Sequence, residues 1–409
     1  MRSHSKNIQT QAVHAGDRKK LADYTPVTTP IFAASTYFYE KAEDLEAVFN
    51  NERPGHSYSR YGNPTTSAFE EQVATLEGAD FAVATSSGMA AAHLALLAGV
   101  SDRRRKIVAA SVLYGQTMSM LMKVFEPLGV ETRFADVSDL EGFEAAVAEE
   151  KPGVVLVETI SNPLLRVAEI DRLAEIAHRH GALLLVDATF TTPVMMRPLE
   201  LGADLVIHSS TKYMGGHGDV LSGVVAGRAE LQPTITYLSK TLGATLGAFE
   251  AFLTMRGVKT LPLRFERQCA NALGLAEALA TNADVERVYF PGRPDHPDAA
   301  IARRLFPEGM YGAVVSFDLE GGRERALAFL DALRMAAPAT SVGDLHTMAL
   351  YPAMSSHRDL SPKHRQRLGI GDGMLRLSVG VEALEDIVAD VEQAVAVSAH
   401  KAAAPLAGD

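Results

Sequence analysis

Between residues 80 and 209 the chain alternates short apolar runs with longer segments of helical spacing, and this alternation constrains its fold more than any other feature. The runs "DFAVAT" (80–85), "KIVAAS" (106–111), "GVVLVET" (153–159), "ALLLVD" (182–187) and "ADLVIHS" (203–209) have the length of strands. Between them lie the helical patterns "MAAAHLALLAG" (89–99), "QTMSMLMKVFEPLG" (116–129), "LEGFEAAVAEE" (140–150, entered through "VETRFA") and "IDRLAEIAHRHG" (170–181). The preceding segment "SAFEEQVATLEGA" (67–79) sets Phe69, Val73 and Leu76 on one helical face. Strands buried on both faces read as continuous apolar runs, and parallel neighbours need a helical crossover to return. The chain is therefore expected to be α/β, with a mainly parallel central sheet. Residues 81–100 contain no charged side chain, but Ser86-Ser87-Gly88 interrupts them. They read as a buried strand, a turn and a buried helix, with no membrane span.

The flanks follow a different grammar. Residues 1–62 are rich in Pro, Thr and Tyr and read as an irregular N-terminal arm, and residues 63–260 form the α/β domain. From residue 261 to 400 the pattern is that of a smaller C-terminal α+β domain. It comprises a long helix (262–281), the turn-rich stretch "DVERVYFPGRPDHP" (284–297), the strands "AVVSFDLEGG" and "MLRLSVG", and two further helices. Residues 401–409 are expected to be a disordered tail. The net charge of −11 is spread without long runs, which argues against nucleic acid as a partner. "DRRRK" (102–106) is the one basic cluster and reads as a solvated turn. A single cysteine, Cys269, excludes an internal disulfide, reads as helix packing and suits a reducing cytoplasm. The N-terminus lacks the apolar core of a signal peptide.

Ligands of open α/β sheets bind beyond the carboxyl ends of the strands. Here those ends are followed by Ser86-Ser87-Gly88-Met89, by Ser161-Asn162-Pro163, by Ala188-Thr189 after Asp187, and by Ser209-Ser210-Thr211-Lys212. Such a rim suits a phosphate-bearing aldehyde cofactor. Backbone N–H groups of Gly88 and Met89 at a helix start hold a phosphate, with Ser209 and Thr211 as further donors. Lys212 forms a Schiff base with the aldehyde. Asp187 pairs with a protonated pyridine nitrogen and keeps the ring an electron sink. The phosphate-loop, dinucleotide and H-E-x-x-H patterns are missing. His217 lacks nearby metal-ligand partners, His346 and His357 read as loop or core residues, and no metal site is expected.

The segments "YSRYGNPT" (58–65), "ATSSGMAA" (84–91), "LYGQT" (113–117), "ETISNP" (158–163), "VDATFTTP" (186–193), "HSSTKYMGGHGDVLSG" (208–223), "RGVKTL" (256–261) and "RLSVGVE" (376–382) complete a pattern. With them the chain closely resembles the trans-sulfuration, or Cys/Met-metabolism, family of pyridoxal-phosphate enzymes, from about residue 10 to 397. The resemblance implies the PLP-dependent fold type I, like that of aspartate aminotransferase, with pyridoxal 5'-phosphate as cofactor. It makes Lys212 the Schiff-base lysine and Asp187 the ring-nitrogen partner. Tyr114 would stack on the ring and assist proton transfer, Asn162 would bond the ring hydroxyl, and Thr189 joins the cofactor site. Tyr58 and Arg60 would reach the phosphate of a neighbouring subunit, which implies a homotetramer built as a dimer of active dimers. Arg376 would clamp the substrate carboxylate, with Ser341 beside it.

Within the family, "YGNPT" and "SVGD…PAMSSH" look most like the γ-lyases. Thr340 stands where cystathionine-handling members usually carry a glutamate. Gln116 stands where methionine γ-lyases usually have a cysteine. The segment around His346, His357 and Arg358 is more polar and more basic than usual. The expected reaction is γ-elimination on an L-amino acid with a heteroatom at Cγ, methionine or a more polar analogue. The alternative is γ-replacement on an O-acylhomoserine.

Overall fold

The computed structural model describes residues 7–20, 23–100, 104–355, 358 and 361–402. Its larger sheet has seven strands: β1 (Phe81–Thr85), β2 (Lys106–Ala110), β3 (Glu131–Ala135), β4 (Val154–Glu158), β5 (Leu183–Asp187), β6 (Leu205–His208) and β7 (Gly223–Gly227), in the order β1-β7-β6-β5-β4-β2-β3. The ladder from β6 through β5, β4 and β2 to β3 is parallel. The central strands are deeply buried, with Val154–Val157, Leu184–Val186 and Leu205–His208 all inaccessible, while Glu158 and Asp187 at the carboxyl ends of β4 and β5 are partly exposed. The residues 81–100 form β1 and the helix Gly88–Gly99.

β7 escapes the alternation rule, because no helix separates "GVVAG" from β6. It runs antiparallel to both β1 and β6. β1 and β6 consequently point the same way, and their carboxyl ends share one rim of the sheet. The helix Pro64–Glu77 that precedes β1 shows how local sequence fixes element ends. Asn63 Oδ1 accepts from Thr65 N–H at 2.9 Å, Pro64 opens the first turn, and Gly78 closes the helix at φ 66.

A second sheet is built after residue 284 from β8 (Val285–Tyr289), β9 (Val314–Leu319), β10 (Ala337–Pro338), β11 (Met348–Leu350) and β12 (Met374–Ser378), in the order β10-β11-β12-β9-β8. It is antiparallel apart from the short β10–β11 pair. The 21-residue helix Leu261–Thr281 ties the two layers together. Its Leu261, Phe265 and Cys269 pack into the core of the first sheet, whereas Ala272, Leu275 and Leu279 pack into that of the second. Burial pushes the Cys269 thiol up to about 12, as befits a packing residue.

Four expectations are corrected. The arm up to residue 62 contains the helices Ile8–His14 and Ala42–Phe49. The first half of the stretch read as turns is β8, which lies at an edge of its sheet and exposes the adjacent Glu286 and Arg287, so it has no continuous apolar run. The helix expected over 116–129 changes pitch: helix Gly115–Met120 passes into a π turn, Leu121–Phe125, and a 3₁₀ turn, Glu126–Leu128. There Pro127 offers no N–H to the ladder. The final helix, Leu384–Ala402, runs past residue 400; residues 403–409 of the expected tail lie outside the described residues. So do Asp102 and Arg103 of the basic cluster, whose Arg105 Nε donates to Gly129 O at 3.3 Å. No helix among the described residues is long and apolar enough to cross a membrane.

Candidate active site

The carboxyl ends of β1, β4, β5 and β6 meet around a cavity of about 210 Å³, whose far wall comes from β12 and from the loop after β10. Lys212 lies in it one turn beyond β6, and its Nζ donates to Ser341 Oγ at 3.0 Å. Burial holds the Lys212 ammonium below its ordinary range, and the Arg376 charge adds to the effect. A lysine shifted this way gives up its proton more readily, which a nucleophile or a general base requires.

Asp187 ends β5. Its Oδ1 accepts from both Thr189 N–H (2.9 Å) and the Thr189 hydroxyl (2.6 Å), and that hydroxyl in turn accepts from Ser209 N–H at 2.9 Å. Burial raises the Asp187 carboxyl, while the two Thr189 donors pull the other way. This chain of bonds fixes the carboxylate to the floor and ties β5 to β6.

Beside it, the helix Gly88–Gly99 directs its first turn at the cavity. Ser87 Oγ caps Ala90 N–H at 3.2 Å, so the N–H groups of Gly88 and Met89 lack intrahelical partners. A Cβ on residue 88 would stand 2.6 Å from Ser209 Cβ, so glycine alone lets this helix end close on Ser209. The result is an anion seat of backbone donors and the Ser209 hydroxyl. Thr211 lines the cavity too, but its hydroxyl proton is directed at Ser222 O, 3.1 Å away.

The opposite wall carries a buried cation. Arg376, on β12, is only 4% exposed. Its Nη1 donates to Asn162 Oδ1 at 3.0 Å and its Nη2 to Ser341 O at 3.1 Å, while Nε is buried without a partner. Among the described residues no carboxylate pairs with it, and burial pushes it down to about 10. A buried guanidinium answered only by neutral oxygens is a receptor for an anion of matching shape, such as an α-carboxylate. Asn162 spends its oxygen on Arg376, which leaves its Nδ2 donor for the cavity.

Tyr114, at the start of helix Gly115–Met120, is 42% exposed and faces the cavity mouth, and Thr340 stands exposed at the same mouth. Gln116, Tyr58 and Arg60 fall outside the wall of this chain. Gln116 is exposed and its neighbour Thr117 lines the cavity instead, because residues two apart on a helix do not share a face. Arg60 sits over the rings of Tyr58 and Tyr61, at 5.4 and 4.8 Å, and donates to Lys240 O, away from the cavity. His217 and His346 are exposed, with contacts to Gly215 O and Asp344 Oδ1, and His357 lies outside the described residues. Among the described residues no cluster of three metal-ligating side chains occurs.

Sequence reasoning passed over Glu158. It falls within the apolar run "GVVLVET" and the motif "ETISNP", and its position as the last residue of β4, directly paired with Asp187, is the signal that could have found it.

The set fits pyridoxal phosphate. Lys212 would serve the aldehyde, the Gly88–Met89 turn and Ser209 the phosphate, Asp187 the ring nitrogen and Asn162 the ring hydroxyl. Comparison with known proteins leads to the same chemistry. Residues 9–396 match the sequence profile of the Cys/Met metabolism PLP-dependent enzymes. An O-succinylhomoserine sulfhydrylase of Pseudomonas aeruginosa is 44% identical over 95% of both chains. An L-methionine gamma-lyase of Fusobacterium nucleatum is 40% identical over 94% of this chain and 97% of its own. Among solved structures, cystathionine gamma synthase from Xanthomonas oryzae pv. oryzae, in complex with aminoacrylate and cysteine, superposes with a TM-score of 0.90 at 37% identity. That match covers 97% of this chain and 99% of the other.

Proposed function

The chain belongs to the Cys/Met metabolism family of PLP-dependent enzymes, with pyridoxal phosphate as its cofactor, and from that premise we propose that it breaks the bond between Cγ and a heteroatom of an L-amino acid by γ-elimination. The observation that carries this reading is the facing of Lys212 and Arg376 across one cavity, bridged by Ser341. The bound cofactor supplies an electron sink that makes substrate protons labile. Arg376 grips the α-carboxylate and so sets the Cα–H bond towards Lys212. Lys212 moves protons at Cα and Cβ, and its depressed basicity suits both directions of transfer. Tyr114, at the mouth, hands a proton to the departing heteroatom. Asp187 holds the ring-nitrogen proton. One water is consumed in releasing the nitrogen, and the products are 2-oxobutanoate, ammonia and the protonated leaving group.

A second reading, γ-replacement on an O-acylhomoserine, is favoured by the sulfhydrylase among the relatives. A substrate panel separates the two. It comprises methionine, homocysteine, cystathionine, O-acetylhomoserine, O-succinylhomoserine and canavanine, each with and without a thiol. Elimination releases 2-oxobutanoate and ammonia without any thiol. Turnover that appears only when thiol is added, with a new Cγ–S bond in the product, overturns elimination in favour of replacement.

The proposal extends to assembly and location. Tyr58 and Arg60 complete the phosphate site of a neighbour in a homotetramer of two active dimers. Phe38, Val27 and Tyr24, which are 88, 72 and 68% exposed on the arm, support a covering partner. Mixing the inactive Lys212→Ala and Arg60→Ala proteins restores activity through hybrid dimers, and a fully active monomer excludes the arrangement. The lone buried cysteine supports the cytoplasm as its compartment.

A further inference from the structure

β4 and β5 end side by side, with Glu158 and Asp187 as the last cross-strand pair of their parallel ladder. Both carboxyl groups line the active-site cavity. Paired residues of neighbouring strands project on the same face of the sheet, with backbones about 4.8 Å apart, and two carboxyl groups held side by side in this way do not ionise independently. The hydrogen bonds decide which keeps its proton. Asp187 Oδ1 receives two donors from Thr189, which favours its ionised form. Glu158 receives a single backbone donor, Tyr114 N–H, at 2.6 Å on Oε1.

Glu158 also forms the wall between the active-site cavity and a second one of about 360 Å³ behind it. The charged groups on the active-site side are Asp187, Lys212 and Arg376. Behind it stand Asp136, Arg166 and His296. Arg166 is engaged twice by Asp298, at 2.6 and 2.9 Å, and burial holds the His296 imidazole below its ordinary range and hence neutral. Arg287, farther along, stacks on Tyr289 at 4.8 Å. Among the described residues no lysine, arginine or histidine forms an ion pair with Glu158, whose one hydrogen bond comes from Tyr114 N–H.

We infer that Glu158 is a proton-holding positioning residue: it stays a neutral acid beside Asp187, so that Asp187 alone carries the negative charge presented to the cofactor ring, and it anchors the backbone of Tyr114. Burial, and then the Asp187 charge, push the Glu158 carboxyl above the usual range, in the same direction. The inference rests on the reading that the cofactor's ring nitrogen meets Asp187.

Holoenzymes of Glu158→Gln, Glu158→Ala and Asp187→Asn are compared with wild type for cofactor release on dialysis. Their visible absorbance is followed from about pH 6 to about pH 9. Glutamine copies the neutral acid and keeps an acceptor for Tyr114 N–H, so Glu158→Gln retains cofactor within about threefold of wild type, whereas Glu158→Ala releases it about tenfold more readily. The wild-type spectrum shows an alkaline step from Glu158 ionisation, and Glu158→Gln lacks it. A wholly structural role for Glu158 leaves that step in place. The inference is overturned if the Glu158→Gln profile superimposes on wild type, or if this variant sheds cofactor as readily as Glu158→Ala. If Asp187→Asn retains cofactor like wild type, the ring placement itself is wrong and the inference falls with it; loss in Asp187→Asn with superimposed Glu158→Gln profiles sinks the inference alone.

Discussion

The two walls of the cavity are built by different means. The floor consists of strand ends: Asp187, Ser209 and Lys212 project from β5 and β6, and the Gly88 turn follows β1. The β5 and β6 ends are fixed by their parallel ladder and cross-linked by the Asp187–Thr189–Ser209 bonds, and the Gly88 turn is fixed by the antiparallel β1–β7 pair. The facing wall joins one strand residue, Arg376, to a loop, Thr340–Val342, and to Tyr114 at a helix start. The difference teaches where chemistry and selectivity reside. We propose that the floor of strand ends holds what every reaction of such a cofactor needs, and that the wall with its loop decides which side chain is accepted.

If the floor carries the chemistry, its loss is absolute. Lys212→Ala is expected to lower kcat by at least roughly a thousandfold and to abolish the visible band of the bound lysine-linked cofactor. Spectroscopy and product release on the same sample check it. A variant that keeps the wild-type band would move the covalent attachment elsewhere and break the comparison at its base.

The far wall is expected to fail differently. Arg376→Lys keeps a charge but loses the planar fork that bonds Asn162 and Ser341 O together. A charge-assisted bond of about 1.5–3 kcal/mol corresponds to a ten- to hundredfold fall in kcat/KM. The cofactor band should persist, and KM should bear much of the loss. A colourless Arg376→Lys protein would show that the two walls cannot be separated.

The floor was legible in the sequence for the same reason that it is rigid. An apolar run of five residues fixes a strand, the strand fixes its end, and the residues beyond it are then placed within a turn. Asp187, Lys212 and Gly88 were found this way. β7 was not, since no crossover helix announces an antiparallel return. Arg376 is an ordinary strand arginine to any local rule; its meaning arises from burial without a counter-ion, which depends on contacts more than 200 residues apart along the chain, as with Asn162. Glu158 likewise becomes informative only when the register sets it against Asp187.

Thr340 sharpens the comparison at lower amplitude. Installing a carboxylate by Thr340→Glu should raise kcat/KM for cystathionine, with its distal ammonium, relative to methionine. Because Thr340 is exposed at the cavity mouth, the contact is worth about 0.2–1 kcal/mol, up to roughly fivefold. Paired kinetics on the two substrates decide, and an unchanged ratio places the distal ammonium elsewhere.

The smallest effect is expected at Gln116. Its place beside Tyr114 in the motif "LYGQT" suggests an amide that steers the leaving group, in which case Gln116→Gly would reorder the substrates. The structure turns this residue outward in the first helical turn after Tyr114, while Thr117 takes the place in the wall. Glycine there costs the helix roughly 0.5–1 kcal/mol through backbone entropy, a cost that falls on stability and leaves selectivity alone. Gln116→Ala avoids that cost and is the cleaner probe. Both variants should keep the substrate ranking of wild type, with kcat/KM within about twofold, and only the glycine variant should melt measurably earlier. A reordered ranking in the alanine variant would mean that the selective wall extends onto the outer face of helix Gly115–Met120. Only a neighbouring subunit that closes over that face could bring it to the substrate, so the result would transfer part of the selectivity from this chain to its assembly.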